Sequence, residues 1–192
     1  MAEQSTNAHL TPEQQALAAL WDQHVSAEFL AHNVKETMDT MVEDAWINNV
    51  PVMTGGVGGQ GVQEFYSTYF IPQLPPDITL TPVSRTVGHD RLVDELVARF
   101  THSIQMDWLL PGISPTGKVI EVALVVIVNF RAGKMVSETL YWDQASVLVQ
   151  AGLLDPERLP VVGVEAVRKV LDPTLPANTL IERARQQGEK RR

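Results

Sequence analysis

Apolar residues recur at Leu17, Leu20, Trp21, Val25 and Phe29, three or four apart, and this spacing predicts an amphipathic helix. Thr11 as N-cap and Pro12 at the first helical position open it. A second helix is predicted from Asn33, carrying Val34, Met38, Met41 and Val42. Residues 45–50 read as a short strand ended by Pro51, and residues 54–61 as a glycine-rich loop. A third helix follows through Val62, Phe65, Tyr66, Tyr69 and Phe70, and Pro72, Pro75 and Pro76 stop it.

After Pro76 the period changes from helical to two. Strands are predicted over 79–88, 91–110, 119–130 and 135–144. His89-Asp90 and Ala132-Gly133 supply the tight turns. Residues 146–154 are amphipathic and short. From Asp155 the chain is punctuated by proline, with one helical patch near Val164–Leu171. Helices followed by strands give an α+β class, with helices packed on a curved antiparallel sheet. The organisation is a tail over 1–12, one domain over 13–154 and an extension over 155–192. Residues 119–130 are apolar on both faces, and few helices are available to cover them. A second subunit against the outer face is the expected cover.

Composition removes several classes of function. The chain has 192 residues and no cysteine, so it has no thiol nucleophile and no cysteine-ligated metal. A net charge of -8 argues against nucleic-acid binding, although the tail is slightly basic. The N-terminus is polar and resembles no secretory signal, and the longest apolar run, 122–128, is too short to span a bilayer. A cytoplasmic protein with no membrane or nucleic-acid partner is the expectation.

The chemistry lies on the sheet. One face of the long strand reads Leu92, Asp94, Leu96, Ala98, Phe100, His102, Ile104, Met106, Trp108, with two ionisable groups among apolar ones. A buried charge requires a partner or a shifted pKa. If His89-Asp90 is a two-residue turn, Arg85 lies across from Asp94, either as a substrate anchor or as a structural ion pair. His102 is suited to acid/base work near neutrality, or is a core histidine satisfied by its surroundings. Glu138 sits in the apolar row Val136, Glu138, Leu140, Trp142 and faces Ile127 across the turn, so a raised pKa is expected. Asp143 follows at the strand end, and Glu121 and Asp107 read as rim groups. Trp46, Tyr66, Trp108, Tyr141 and Trp142 are candidate pocket aromatics. His32, Glu36 and Asp39 share a helix face, but chance explains them better than a metal, and no metal site is expected. The glycine-rich segment lacks the Gly-Lys-Ser/Thr of a nucleotide loop.

Three segments carry a family resemblance: Gly61-Val62-Gln63-Glu64-Phe65-Tyr66, Phe130-Arg131-Ala132-Gly133-Lys134-Met135-Val136-Ser137-Glu138, and the stretch from Tyr141-Trp142-Asp143-Gln144 to Leu153. Over residues 13–154 the chain resembles the nuclear transport factor 2-like superfamily, in its SnoaL-like, polyketide cyclase-type branch. The resemblance implies a cone with a deep pocket, frequent homodimers, and cofactor-free acid/base chemistry on a mostly apolar small molecule, of isomerase, cyclase or hydrolase type. The same fold also serves non-catalytic binding or dimerisation modules. Asp143 is similar to the acid/base aspartate of the cyclases. Arg85 and Asp94 match two parts of the Asp–Arg–Asp arrangement of an epoxide hydrolase in the superfamily. Which face of the last strand looks inward decides between Glu138 and Asp143.

Overall fold

The structure, a computed structural model, describes residues 10–189. Helix α1 (Pro12–Phe29) starts where the sequence predicts. The Thr11 hydroxyl accepts from the Gln14 amide, and the Gln14 side chain accepts in return from the Thr11 amide. Helix α2 (Val34–Asp39), capped by Asn33, is shorter than its apolar spacing predicts. Met41 and Val42 belong instead to strand β1 (Met41–Asn49), which the sequence places only from residue 45.

The glycine-rich segment is not a loop. It forms strand β2 (Thr54–Val57) and then helix α3 (Gly58–Glu64). Gly56 has a steric reason to be glycine, since a Cβ there would lie 2.3 Å from the Gly61 carbonyl oxygen. Helix α3 continues as a π-helical turn (Phe65–Phe70), whose wider period buries Phe65, Tyr66 and Phe70 together.

The remaining strands are β3 (Thr79–Val87), β4 (Arg91–Thr101), β5 (Val119–Arg131) and β6 (Lys134–Tyr141). Ala132 and Gly133, at φ 52° and 74°, make the tight β5–β6 turn. Strand β4 ends nine residues before its predicted end at 110. The Asp77 carboxylate takes the Thr101 amide and hydroxyl, and the Ser103 amide turns back to the Thr101 carbonyl. The sheet has six strands in the order β2-β1-β6-β5-β4-β3. The β1–β6 pair is parallel, so the sheet is mixed rather than wholly antiparallel.

Even-numbered residues of β4 and β5, from Leu92 and Val128 to Phe100 and Ile120, form the inner face with Trp21, Phe65 and Tyr66. Helix α4 (Gln144–Gln150) follows β6. Helix α5 (Val164–Leu171) lies on the outer face of β5, with Arg168 3.8 Å from Glu121, and α6 (Thr179–Glu189) follows it. Part of the outer face is thus covered by the chain's own extension, where the sequence predicts a second subunit. Trp46, Val125 and Tyr141 on the same face stay 38%, 37% and 46% exposed. No helix among the described residues is long and apolar enough to cross a membrane.

Candidate functional site

Helix α1 turns Trp21, His24 and Glu28 toward the inner face of the sheet, at spacings of three and four residues. His24 is 0% exposed and Glu28 2% exposed. Strand β6 supplies Glu138, the π-helical turn supplies Tyr66, and Thr40 comes from the junction of α2 and β1. His24 Nε2 lies 3.1 Å from Glu28 Oε1, 2.9 Å from the Tyr66 hydroxyl and 3.8 Å from Glu138 Oε2. The Tyr66 hydroxyl donates to Glu138 Oε2 at 3.3 Å. On the far side of the ring, Nδ1 lies 2.7 Å from Thr40 Oγ1. The indole of Trp21 stacks on the imidazole at 5.5 Å.

The electrostatics follow from two carboxylates around one imidazole away from water. Burial weighs against charge on His24, but Glu28 foremost, and Glu138 with it, outweigh burial and raise its pKa to about 10. The ring is therefore an imidazolium at neutral pH. Burial raises Glu28 above the usual carboxylate range against the pull of His24. Burial, with Glu28 and Glu138 close by, likewise holds the Tyr66 hydroxyl well above its ordinary value. One cation between two carboxylates leaves one negative charge in excess, and a proton shared with Glu28 removes it.

A second polar group lies further along the same inner face. Asp94 pairs with Arg85, as the turn arithmetic predicts. Arg85 Nε and Nη2 donate to the two Asp94 oxygens at 2.6 and 2.7 Å, and Nη1 donates to Asp22 at 2.8 Å. Trp21 Nε1 adds a bond to Asp94 at 2.7 Å. Asp94, foremost, raises the Arg85 guanidinium further above its already high pKa. Asp22 completes an arginine between two aspartates, but it lies exposed on α1 at the sheet edge, and every oxygen of Asp94 is occupied. The geometry is that of a clamp joining α1 to the β3–β4 hairpin.

The other predicted residues do not join either group. His102 is buried just beyond β4. The Thr116 amide donates to its Nδ1 at 3.3 Å, which puts the ring hydrogen on Nε2 when the ring is neutral. Nε2 has no partner among the described residues, and burial lowers the pKa. Glu138 pairs with Val128, which pairs with Leu92, ten residues before His102. At about 3.3 Å per residue the two lie roughly 30 Å apart along the strand, so they cannot serve one substrate atom as acid and base. Asp143 is exposed and caps α4, accepting from the Ser146 amide at 3.1 Å. With Glu121 and Val167 it borders a cavity of about 140 Å³ beneath α5, on the outer side of the sheet.

Among the aromatics, Tyr66 lies in the cluster and Trp108 in the core, its indole donating to the Gln73 carbonyl. Trp142 donates to Gln144 Oε1, while Trp46 and Tyr141 face outward. His32 precedes α2 in a left-handed turn at φ 50°, so the predicted face shared with Glu36 and Asp39 does not form.

His24 and Glu28 are absent from the sequence prediction because the α1 stripe reads as purely apolar. Their signal was present, since both continue the spacing that begins at Trp21. One donor atom each from His24, Glu28 and Glu138 falls within 4.8 Å of the others, a set able to hold a divalent cation. The same atoms already bond to one another through Nε2 and the Tyr66 hydroxyl, which is the arrangement proton transfer requires.

No family model and no curated protein matches the chain. Solved structures do match it. A candidate SnoaL-like polyketide cyclase from Jannaschia sp. CCS1 superposes over 78% of this chain and 100% of its own, at TM-score 0.63 and 12% identity. This chain has the nuclear transport factor 2-like fold. The candidate hydroxylase AclR from Streptomyces galilaeus shares the fold over 81% of this chain and 93% of its own, at TM-score 0.58 and 19% identity. The epoxide hydrolase/cyclase-like enzyme SalBIII of salinomycin pyran ring formation shares it over 69% and 94%, at TM-score 0.51 and 15% identity. At these identities the likeness concerns the fold, while the site rests on this chain's own residues.

Proposed function

We propose that this chain is a small-molecule enzyme performing acid/base chemistry without a cofactor, of isomerase, cyclase or hydrolase type, on a mostly apolar substrate. The observation that carries the reading is the contact of one imidazole nitrogen with Glu28 at 3.1 Å, Tyr66 at 2.9 Å and Glu138 at 3.8 Å at the inner face of the sheet. Glu28, which shares the extra proton, is the acid and Glu138 the base, His24 holds the proton between them, and Tyr66 donates to the developing negative charge. The neighbours described as cyclase, hydroxylase and epoxide hydrolase/cyclase-like support an enzyme in general terms. The exposed Trp46, Val125 and Tyr141 are where a second copy would pair in a homodimer.

A panel of apolar ketones, lactones and epoxides tests the reading, with each substrate followed for proton exchange or ring opening. Turnover that falls about 10²–10⁴-fold in Glu138→Gln supports it. Turnover undiminished in that variant overturns it. Ligand binding with no turnover by the wild type would instead assign the fold to a binding module.

A further inference from the structure

We propose that Thr40 is a positioning residue that fixes the His24 ring so that only Nε2 exchanges protons with the carboxylates. The inference rests on the reading of the cluster as the chemical centre. The Thr40 hydroxyl has one hydrogen and two close oxygen or nitrogen neighbours, the Thr37 carbonyl at 2.6 Å and His24 Nδ1 at 2.7 Å. A carbonyl only accepts, so the hydroxyl hydrogen goes to Thr37. Met135 Sδ, at 3.9 Å, is a weak and distant competitor. Thr40 Oγ1 therefore accepts from His24, and Nδ1 carries a hydrogen in the charged and in the neutral ring alike.

Thr37 is itself held in place. Its hydroxyl and its amide both donate to the Asn33 carbonyl, at 2.9 and 3.0 Å. Thr37 is 0% and Thr40 2% exposed. The chain of bonds from Asn33 through Thr37 and Thr40 thus reaches the ring from the side opposite the chemistry. The groups facing the other side are Glu28 from α1, Tyr66 from the π-helical turn and Glu138 from β6. A proton leaving His24 goes to that side alone, and the ring cannot invert without stranding Nδ1–H. This is the role that an outer hydrogen-bond partner of an active histidine plays elsewhere.

The test is nitrogen-15 NMR of the His24 ring in the full-length protein. In the wild type the neutral ring, reached at high pH, carries its hydrogen on Nδ1. Thr40→Val keeps the shape but removes the acceptor, so the Nε2–H tautomer appears and the ring loses its proton at lower pH. Thr40→Ser restores the wild-type pattern. On a substrate found by the panel, Thr40→Val lowers kcat about 10-fold with little change in KM, and Thr40→Ser recovers it. A wild-type neutral ring protonated on Nε2 overturns the proposal, as does a Thr40→Val spectrum identical to wild type. Should Thr40→Val not fold, the wild-type spectrum alone decides. The spectrum needs no substrate, so an inactive protein with the Nδ1–H ring would refute the enzymatic reading and leave the role of Thr40 standing.

Discussion

Two groups of buried carboxylates share the inner face of one sheet and are neutralised in opposite ways. At Asp94 the compensating charge is a guanidinium, which does not titrate in the working range and fills both carboxylate oxygens with directed bonds. At Glu28 and Glu138 it is one imidazole shared between two carboxylates. The first arrangement holds an element in place, and the second leaves a proton that can move. Trp21 separates the two, bonded to Asp94 on one side and stacked on His24 on the other.

The largest effect that separates the two groups is on turnover. The double change Glu28→Gln with Glu138→Gln should lower kcat by about 10²–10⁴-fold while the protein stays folded, measured on whichever panel substrate turns over. Arg85→Met should show the reverse pattern in urea unfolding. It leaves Asp94 buried without its main partner and costs about 1–3 kcal/mol, with kcat of the folded fraction retained.

The pH dependence of stability comes next. The folded pKa of His24, at about 10, lies above its ordinary value of 6.5. Its contribution is complete below pH 6.5 and disappears as pH rises to about 10. Glu28 acts in the same sense, since a raised carboxyl favours the folded state only while protonated. Thermal scans should show Tm falling from pH 7 to pH 10 in the wild type and in Arg85→Met, and falling much less in His24→Gln. The smallest effect belongs to His102→Phe. Removing a buried N–H that has no partner offsets the lost Thr116 contact, so stability should change by no more than about 1 kcal/mol.

The difference between the two groups also explains what could be read in the sequence. The Arg85–Asp94 pair follows from counting across one tight turn, and the register shift between Pro82 and Ser84 falls outside it. Glu138 was expected opposite Ile127 and lies opposite Val128, because a register shift between Asn129 and Phe130 intervenes. The shift is what turns Glu138 inward: Ile127 lies on the outer face of β5 and Val128 on the inner one, so Met135 and Glu138, three residues apart, both face inner residues. The cluster around it is assembled from α1, the α2–β1 junction, the π-helical turn and β6, and no spacing within one segment encodes that meeting. The parallel β1–β6 pair is non-local in the same way. The end of β4 is not legible in the sequence because alternation continues to Trp108, while the Asp77 bonds that stop the strand come from a distant position. Asp143 was placed by resemblance, and its Asx cap on α4 shows a local reason for an aspartate there.

The chemistry proposed for the cluster depends most directly on the protonation of His24. An NMR titration of its ring in the wild type should give a midpoint near pH 10. In the Glu28→Gln, Glu138→Gln protein the midpoint should fall below the ordinary imidazole value of 6.5, because burial then acts without opposition. A wild-type midpoint at or below 6.5 would contradict the account, since the two carboxylates would then lend the imidazole no charge to share.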